Sequence, residues 1–74
     1  MKALLITSCT DSLMWYRDHI GRIVPLLPRG ETSREFLSIE PAGYTNIVMK
    51  YDCQVVDVPR DEILYLPRME YDDE

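Results

Sequence analysis

The chain has 74 residues, with 8 Lys+Arg against 13 Asp+Glu for a formal net charge of −5, and is 46% hydrophobic and 28% charged. A chain of this size is one small domain that buries only about 60% of the surface its unfolded form exposes, which leaves a marginal core and no room for a deep enclosed active site. The acid excess argues against a general DNA or RNA binder, because neutralising backbone phosphates takes clustered Lys and Arg in surplus.

The charge is unevenly placed. Residues 1–58 hold six basic and seven acidic side chains, a net of −1, whereas residues 59–74 hold Arg60 and Arg68 against Asp61, Glu62, Glu70, Asp72, Asp73 and Glu74, a net of −4. The asymmetry divides a near-neutral body, residues 1–58, from an acidic and aromatic C-terminal segment, residues 59–74. The longest apolar run near the start, Ala3 to Ile6, is far short of the roughly 7–15 residues of a signal-peptide core and the ~20 of a spanning helix. The expectation is a cytoplasmic protein with no membrane association.

Lys2 to Ser8 opens with Leu4, Leu5, Ile6 and Thr7 and closes on Ser8-Cys9-Thr10-Asp11-Ser12, which reads as a buried first strand followed by a polar turn. Asp11 or Ser12 can cap one or two helical turns over Leu13 to His19, ending before Gly21. No long helix is expected, because Pro25, Pro28, Gly30, Pro41, Gly43, Pro59 and Pro67 interrupt the rest. Ile20 to Leu27 has strand composition, with Pro25 placing part of it on an edge or at a bulge. After the polar loop Pro28 to Ser33, Glu35 to Glu40 alternates, with Leu37 and Ile39 expected in the core. Pro41 to Tyr44 turns the chain into a strand over Thr45 to Tyr51, and Asp52-Cys53 breaks it. Gln54 to Val58 supplies a fifth strand. Close spacing of short strands and the need to remove two sheet edges predict a mainly β fold, a small five- to six-stranded antiparallel SH3-like or OB-like barrel with one short helical turn after the first strand.

Leu13-Met14-Trp15-Tyr16 followed by Ile20-Gly21 and a strand, then Gly43-Tyr44-Thr45-Asn46-Ile47-Val48, resembles a loose group of very short bacteriophage-encoded proteins with SH3-like barrels, over about residues 2–58. The resemblance implies an accessory protein of the host-cell cytoplasm that binds and inhibits a host or anti-phage defence protein. It also admits a homo-oligomer that sequesters a nucleotide-like signal. The chain lacks an Ala-Leu-Tyr-Asp-Tyr-like run and a Trp-Trp pair, so proline-motif recognition is not implied.

Catalytic signals are absent from the sequence. His19 is the one histidine, and neither Cys9 nor Cys53 stands in a nucleophile motif or a metal-ligand spacing. No enzyme activity, metal or cofactor is therefore expected, and the two cysteines are expected as reduced thiols. Trp15-Tyr16 is the leading candidate contact, since Trp and Tyr join large apolar area to a polar tip. Trp15 is expected as a lid on one end of the barrel and Tyr16 as the residue facing out, with Arg17 and His19 nearby. Tyr44 is either a stacking platform or a core cap.

In the C-terminal segment, Ile63, Leu64, Tyr65, Leu66, Met69 and Tyr71 are interleaved with acid, which a purely solvated run does not need. Ile63 to Leu66 are expected to pack on the barrel; Tyr65, Met69, Tyr71, Asp72 and Asp73 complete the candidate partner surface, able to engage a basic groove. The alternative is an anion site on Arg22, Arg29 and Arg34, with phosphate gripped bidentately between subunits of a homo-oligomer.

Overall fold

The run Leu4-Leu5-Ile6 forms the middle of the fold. In the computed structural model, which describes residues 1–67, β1 (Lys2–Ile6) is flanked by β2 (Ile23–Pro25) and β5 (Cys53–Asp57), both antiparallel to it. β3 (Glu35–Ile39) and β4 (Thr45–Met49) form a second antiparallel sheet, and short 3-10 helices span Lys50–Asp52 and Arg60–Glu62. The protein is mainly β, as its strand spacing predicts.

Two observations fix how β1 shares its backbone groups. Ile6 N–H donates to the Arg22 carbonyl at 3.0 Å, and Met1 and Val58 exchange both backbone bonds at 3.0 Å. Successive residues of a strand point their N–H and C=O to opposite sides, so the even positions of β1 bond toward β2 and the odd ones toward β5. Pro25 lies opposite Ala3, an odd position, so its missing N–H faces away from β1 and costs that ladder nothing.

β2 continues to Leu27, whose N–H donates to the Leu37 carbonyl at 2.9 Å in a single bridge that joins the two sheets. The expected closed barrel does not form. β4 and β5 remain edges among the described residues, and closure is replaced at β4 by side chains, as described below.

Leu4, Ile6, Tyr16, Val24 and Val48 make the fully buried centre, with Met14, Trp15, Leu26, Phe36, Cys9, Cys53 and Tyr65 packed around it. Burial of each large aliphatic side chain contributes about 1.5–3 kcal/mol. Of the two β3 residues expected in the core, Ile39 is buried as expected and Leu37 is not. Phe36, opposite Val48, packs on the centre and Ser38 is fully buried, whereas Leu37 is half-buried and Ile39, though buried, lies outside the central cluster.

The helical turn expected after β1 is a chain of tight turns instead. Met14 N–H donates to Asp11 C=O, Arg17 to Met14, His19 to Tyr16 and Arg22 to His19. Asp11 does act as the local cap, its Oδ1 accepting the Leu13 N–H at 2.9 Å. The segment is too short to propagate a helix, and three-residue steps let Trp15, Tyr16 and His19 all turn inward.

Candidate functional site

Asp52 ends the first 3-10 helix and is fully buried. Its Oδ1 accepts from Ser8 Oγ at 2.8 Å, Thr10 Oγ1 at 2.8 Å and Thr10 N–H at 3.1 Å, and its Oδ2 accepts from Tyr16 Oη at 2.6 Å. Its backbone carbonyl takes the N–H groups of Thr7 and Ser8. The polar run after β1 thus closes around one carboxylate. Burial works to raise the Asp52 carboxyl, but the hydrogen bonds from Tyr16, Thr10 and Ser8 outweigh it and hold the group below its ordinary value. Burial and the carboxylate together push the Tyr16 phenol well above its ordinary value.

The same tyrosine serves the edge of β4. Glu40 N–H bonds to Tyr44 C=O and Lys50 N–H to Arg34 C=O across the β3–β4 pair, so the even positions of β4 face β3 and Ile47 and Met49 face outward. Each of their outward groups meets a side chain. Ile47 N–H donates to Asn46 Oδ1 at 2.8 Å, and Ile47 C=O accepts the Trp15 indole N–H at 2.8 Å. Met49 N–H donates to Tyr16 Oη at 3.3 Å, and Met49 C=O accepts the Cys53 thiol at 3.5 Å. Trp15 and Tyr16, ring centroids 5.6 Å apart and edge-on, stand where a neighbouring strand would pair. Covered in this way over Ile47 and Met49, the edge offers further strands no template beyond its first residue, Thr45.

Beside this pair, His19 Nε2 shares a 2.7 Å hydrogen bond with Tyr65 Oη, and its ring lies 5.6 Å from Trp15 and 5.4 Å from Tyr65. Tyr65 adopts a left-handed backbone with φ 59°, a conformation costly for an aromatic residue. It is held by its place on the core and by His19. Cys9 and Cys53 are free, half-buried thiols. Burial, then Asp52, raises both, Cys53 to about 11, so neither is a ready nucleophile.

Several candidate contacts are therefore placed differently from expectation. Tyr16, expected to face out, is fully buried, because its phenol is the one group that reaches both Asp52 and Met49. Trp15 is half-buried and Tyr65 half-buried, each with its polar tip engaged internally. Arg17 is exposed at 4.0 Å from Asp18, and Tyr44 is 72% exposed on the β3–β4 turn. Arg22, Arg29 and Arg34 are exposed and have no ion pair among the described residues, since Glu31 pairs with Lys50 at 2.6 Å. Met69, Tyr71, Asp72 and Asp73 lie outside the described residues.

Asp52 is the organising residue that sequence reasoning passed over, treating it as a strand breaker. Its signal was the cluster of hydroxyl residues at Ser8 and Thr10 with no lysine or arginine beside it to balance a buried acid. Among the described residues no three His, Cys, Asp or Glu side chains are grouped to hold a metal ion, and no helix is long and apolar enough to cross a membrane. Compared with family models, curated proteins and solved structures, the chain matches none.

Proposed function

We propose that the protein is a non-enzymatic interaction protein, phage-encoded, that binds and blocks a host or anti-phage defence protein. The observation that carries this is Tyr44. It stands 72% exposed on the β3–β4 turn, and its phenol has no partner among the described residues, whereas Trp15, Tyr16 and Tyr65 spend their polar tips inside the fold. A large amphipathic ring held out on a short turn is the type of group that anchors interfaces. Leu13, 84% exposed in the turn segment after β1, adds apolar surface elsewhere on the loops. The acidic residues 70–74 add charge suited to a basic groove on the partner.

The fold reading that accompanies this is an SH3-like barrel left open between β4 and β5. Its support is the strand order, in which β1 pairs with both β2 and β5 while β2 passes on to β3 through Leu27 and Leu37. A second functional reading, capture of a nucleotide-like anion between subunits, draws on the three exposed arginines Arg22, Arg29 and Arg34.

Affinity purification from a bacterial lysate tests the first reading, using the full chain, a Tyr44→Ala variant and a chain lacking residues 67–74. A stoichiometric protein that is lost with Tyr44→Ala and weakened by salt and by the deletion is the expected result. Recovery of no stoichiometric protein ends this reading, and a nucleotide recovered instead, lost when Arg29 and Arg34 are replaced by Ala, favours the second.

A further inference from the structure

We propose that β5 is a homodimerisation edge, through which two copies of the chain pair antiparallel about a two-fold axis at Val55.

The two outer strands of the fold are treated in opposite ways. At β4 the four outward backbone groups of Ile47 and Met49 are each met by a side chain. At β5 the odd positions face away from β1, because Met1 bonds with Val58 and Thr7 N–H with Asp52 C=O, both even positions of the last segment. Val55 and Asp57 therefore turn their N–H and C=O groups outward. Among the described residues nothing meets them, although Asp57's carboxylate is engaged by the Met1 ammonium at 2.7 Å.

The side chains at this edge are also unfinished. Val55 lies directly across from Leu4, a fully buried residue, so it stands on the core face of its sheet. It is nevertheless 42% exposed. An apolar residue on the inner face is left open because, among the described residues, no further strand lies beside it.

A second copy completes the edge by symmetry. With the axis at Val55, each Val55 N–H reaches the other copy's Val55 carbonyl, and each Asp57 N–H reaches the partner's Cys53 carbonyl. Cys53 N–H is not required, being bonded already to the Lys50 carbonyl. The two Val55 side chains meet on the core face, and Asp57 opposes Cys53 rather than another acid. An axis at Asp57 would set two carboxylates against each other, and an axis at Cys53 would drive the two Lys50–Asp52 helices together. Val55 is the register that uses the outward groups without either conflict. The interface is isologous, as a closed dimer requires. Two five-residue strands bury less than the ~1,200 Å² of a standard interface, so the dimer is weak and forms with rising concentration.

The test is sedimentation velocity together with amide hydrogen exchange on the full chain, from about 10 µM to about 1 mM, a range suited to weak association. Val55→Pro removes an N–H that β1 does not use, as Pro25 does natively in β2, and Val55→Lys places two like charges at the axis. The wild type should move from monomer toward twice that mass, with the Val55 and Asp57 amides gaining protection in step, while both variants stay monomeric and still unfold cooperatively. If Val55→Pro fails to fold, Val55→Lys decides alone. A wild type monomeric at the highest concentration overturns the proposal, as does a dimer that survives both substitutions. It is overturned equally if those two amides are protected in the dilute monomer and lose protection on truncation after Pro67, since the chain's own end then holds the edge.

Discussion

The phenol of Tyr16 donates a 2.6 Å hydrogen bond to Oδ2 of Asp52, and both residues are fully buried. A buried carboxylate without a cation is tolerable only where donors replace its water. Here Ser8, Thr10 and Tyr16 do so. Tyr16→Phe should destabilise the fold by about 1.5–3 kcal/mol, the worth of a hydrogen bond to a charged group, and it also leaves Met49 N–H without its acceptor. Asp52→Ala should cost more, about 3–5 kcal/mol, because it strands several donors at once and opens a cavity. Urea denaturation of the two variants compares them directly, and an Asp52→Ala cost no larger than that of Tyr16→Phe contradicts the central role of the carboxylate.

The same carboxylate sets the acid limit of stability. Asp52 is held below its ordinary value of 3.8, and Asp57 is lowered too, by the hydrogen bond and charge of the N-terminal ammonium. The unfolded chain therefore takes up these protons first as pH falls, so the stability they confer is present above about 3.8 and lost below it. Cys53 works in the opposite sense. Its thiol is raised from 9.0 to about 11, so its contribution is intact below pH 9 and lost as pH rises toward 11, where the unfolded chain ionises and the folded one does not. Tyr16 and Cys9, also raised by burial, act in the same direction. Urea midpoints measured from pH 2 to pH 11 should fall at both ends, and Cys53→Ala should lessen the alkaline fall without abolishing it, while leaving the acid one.

Trp15 tests whether side chains seal β4. Trp15→Phe keeps an aromatic ring edge-on to Tyr16 but removes the donor to the Ile47 carbonyl. The expected loss is about 0.5–1.5 kcal/mol, accompanied by light scattering that rises with concentration on mild heating, because an opened strand edge invites pairing. Unchanged stability and unchanged scattering would show that the indole N–H does not protect the edge.

The apolar runs of β1, β4 and β5 were legible because β-branched and leucine-rich segments between turn residues have few other uses. Pro25 was also read correctly as a residue of an outer strand, since it has no N–H to donate on the side away from β1. Closure was misjudged for a reason that lies in Trp15 and Tyr16. Strand-edge arithmetic assumes that backbone groups are satisfied by backbone, whereas here an indole and a phenol from the turn segment do it. The alternation of β3 was right for Ile39, which is buried, but missed that Phe36 packs on the centre while Leu37 is half-buried, because β3 is apolar on both sides and alternation cannot choose between two covered faces. Asp52 was missed as a centre because its donors Tyr16, Thr10 and Ser8 lie 36 to 44 residues away in the chain, and no local pattern matches that hydroxyl cluster to its acid.

Gly30 and Leu37 give the sharpest test of how the two sheets are joined. Gly30 has φ +83°, and a Cβ added there would lie 2.7 Å from Leu37 Cδ2 and 3.0 Å from Leu37 Cβ. Leu37 is also the residue whose carbonyl receives Leu27, so its Cδ2 can swing aside but its Cβ cannot retreat without straining the one bridge between the sheets among the described residues. Gly21 is the natural control. Its φ is +86°, but a Cβ there meets nothing within 4 Å, so Gly21→Ala carries only the cost of a left-handed backbone, about 1–2 kcal/mol. Gly30→Ala should exceed it by about 1–3 kcal/mol, the usual penalty of overpacking. The excess should shrink when Leu37→Ala is added, since shortening that side chain removes most of the collision, and the two changes should be less than additive. Equal losses for Gly21→Ala and Gly30→Ala in thermal or urea unfolding would mean that Leu37 moves aside freely and that the bridge does not fix the sheets in place.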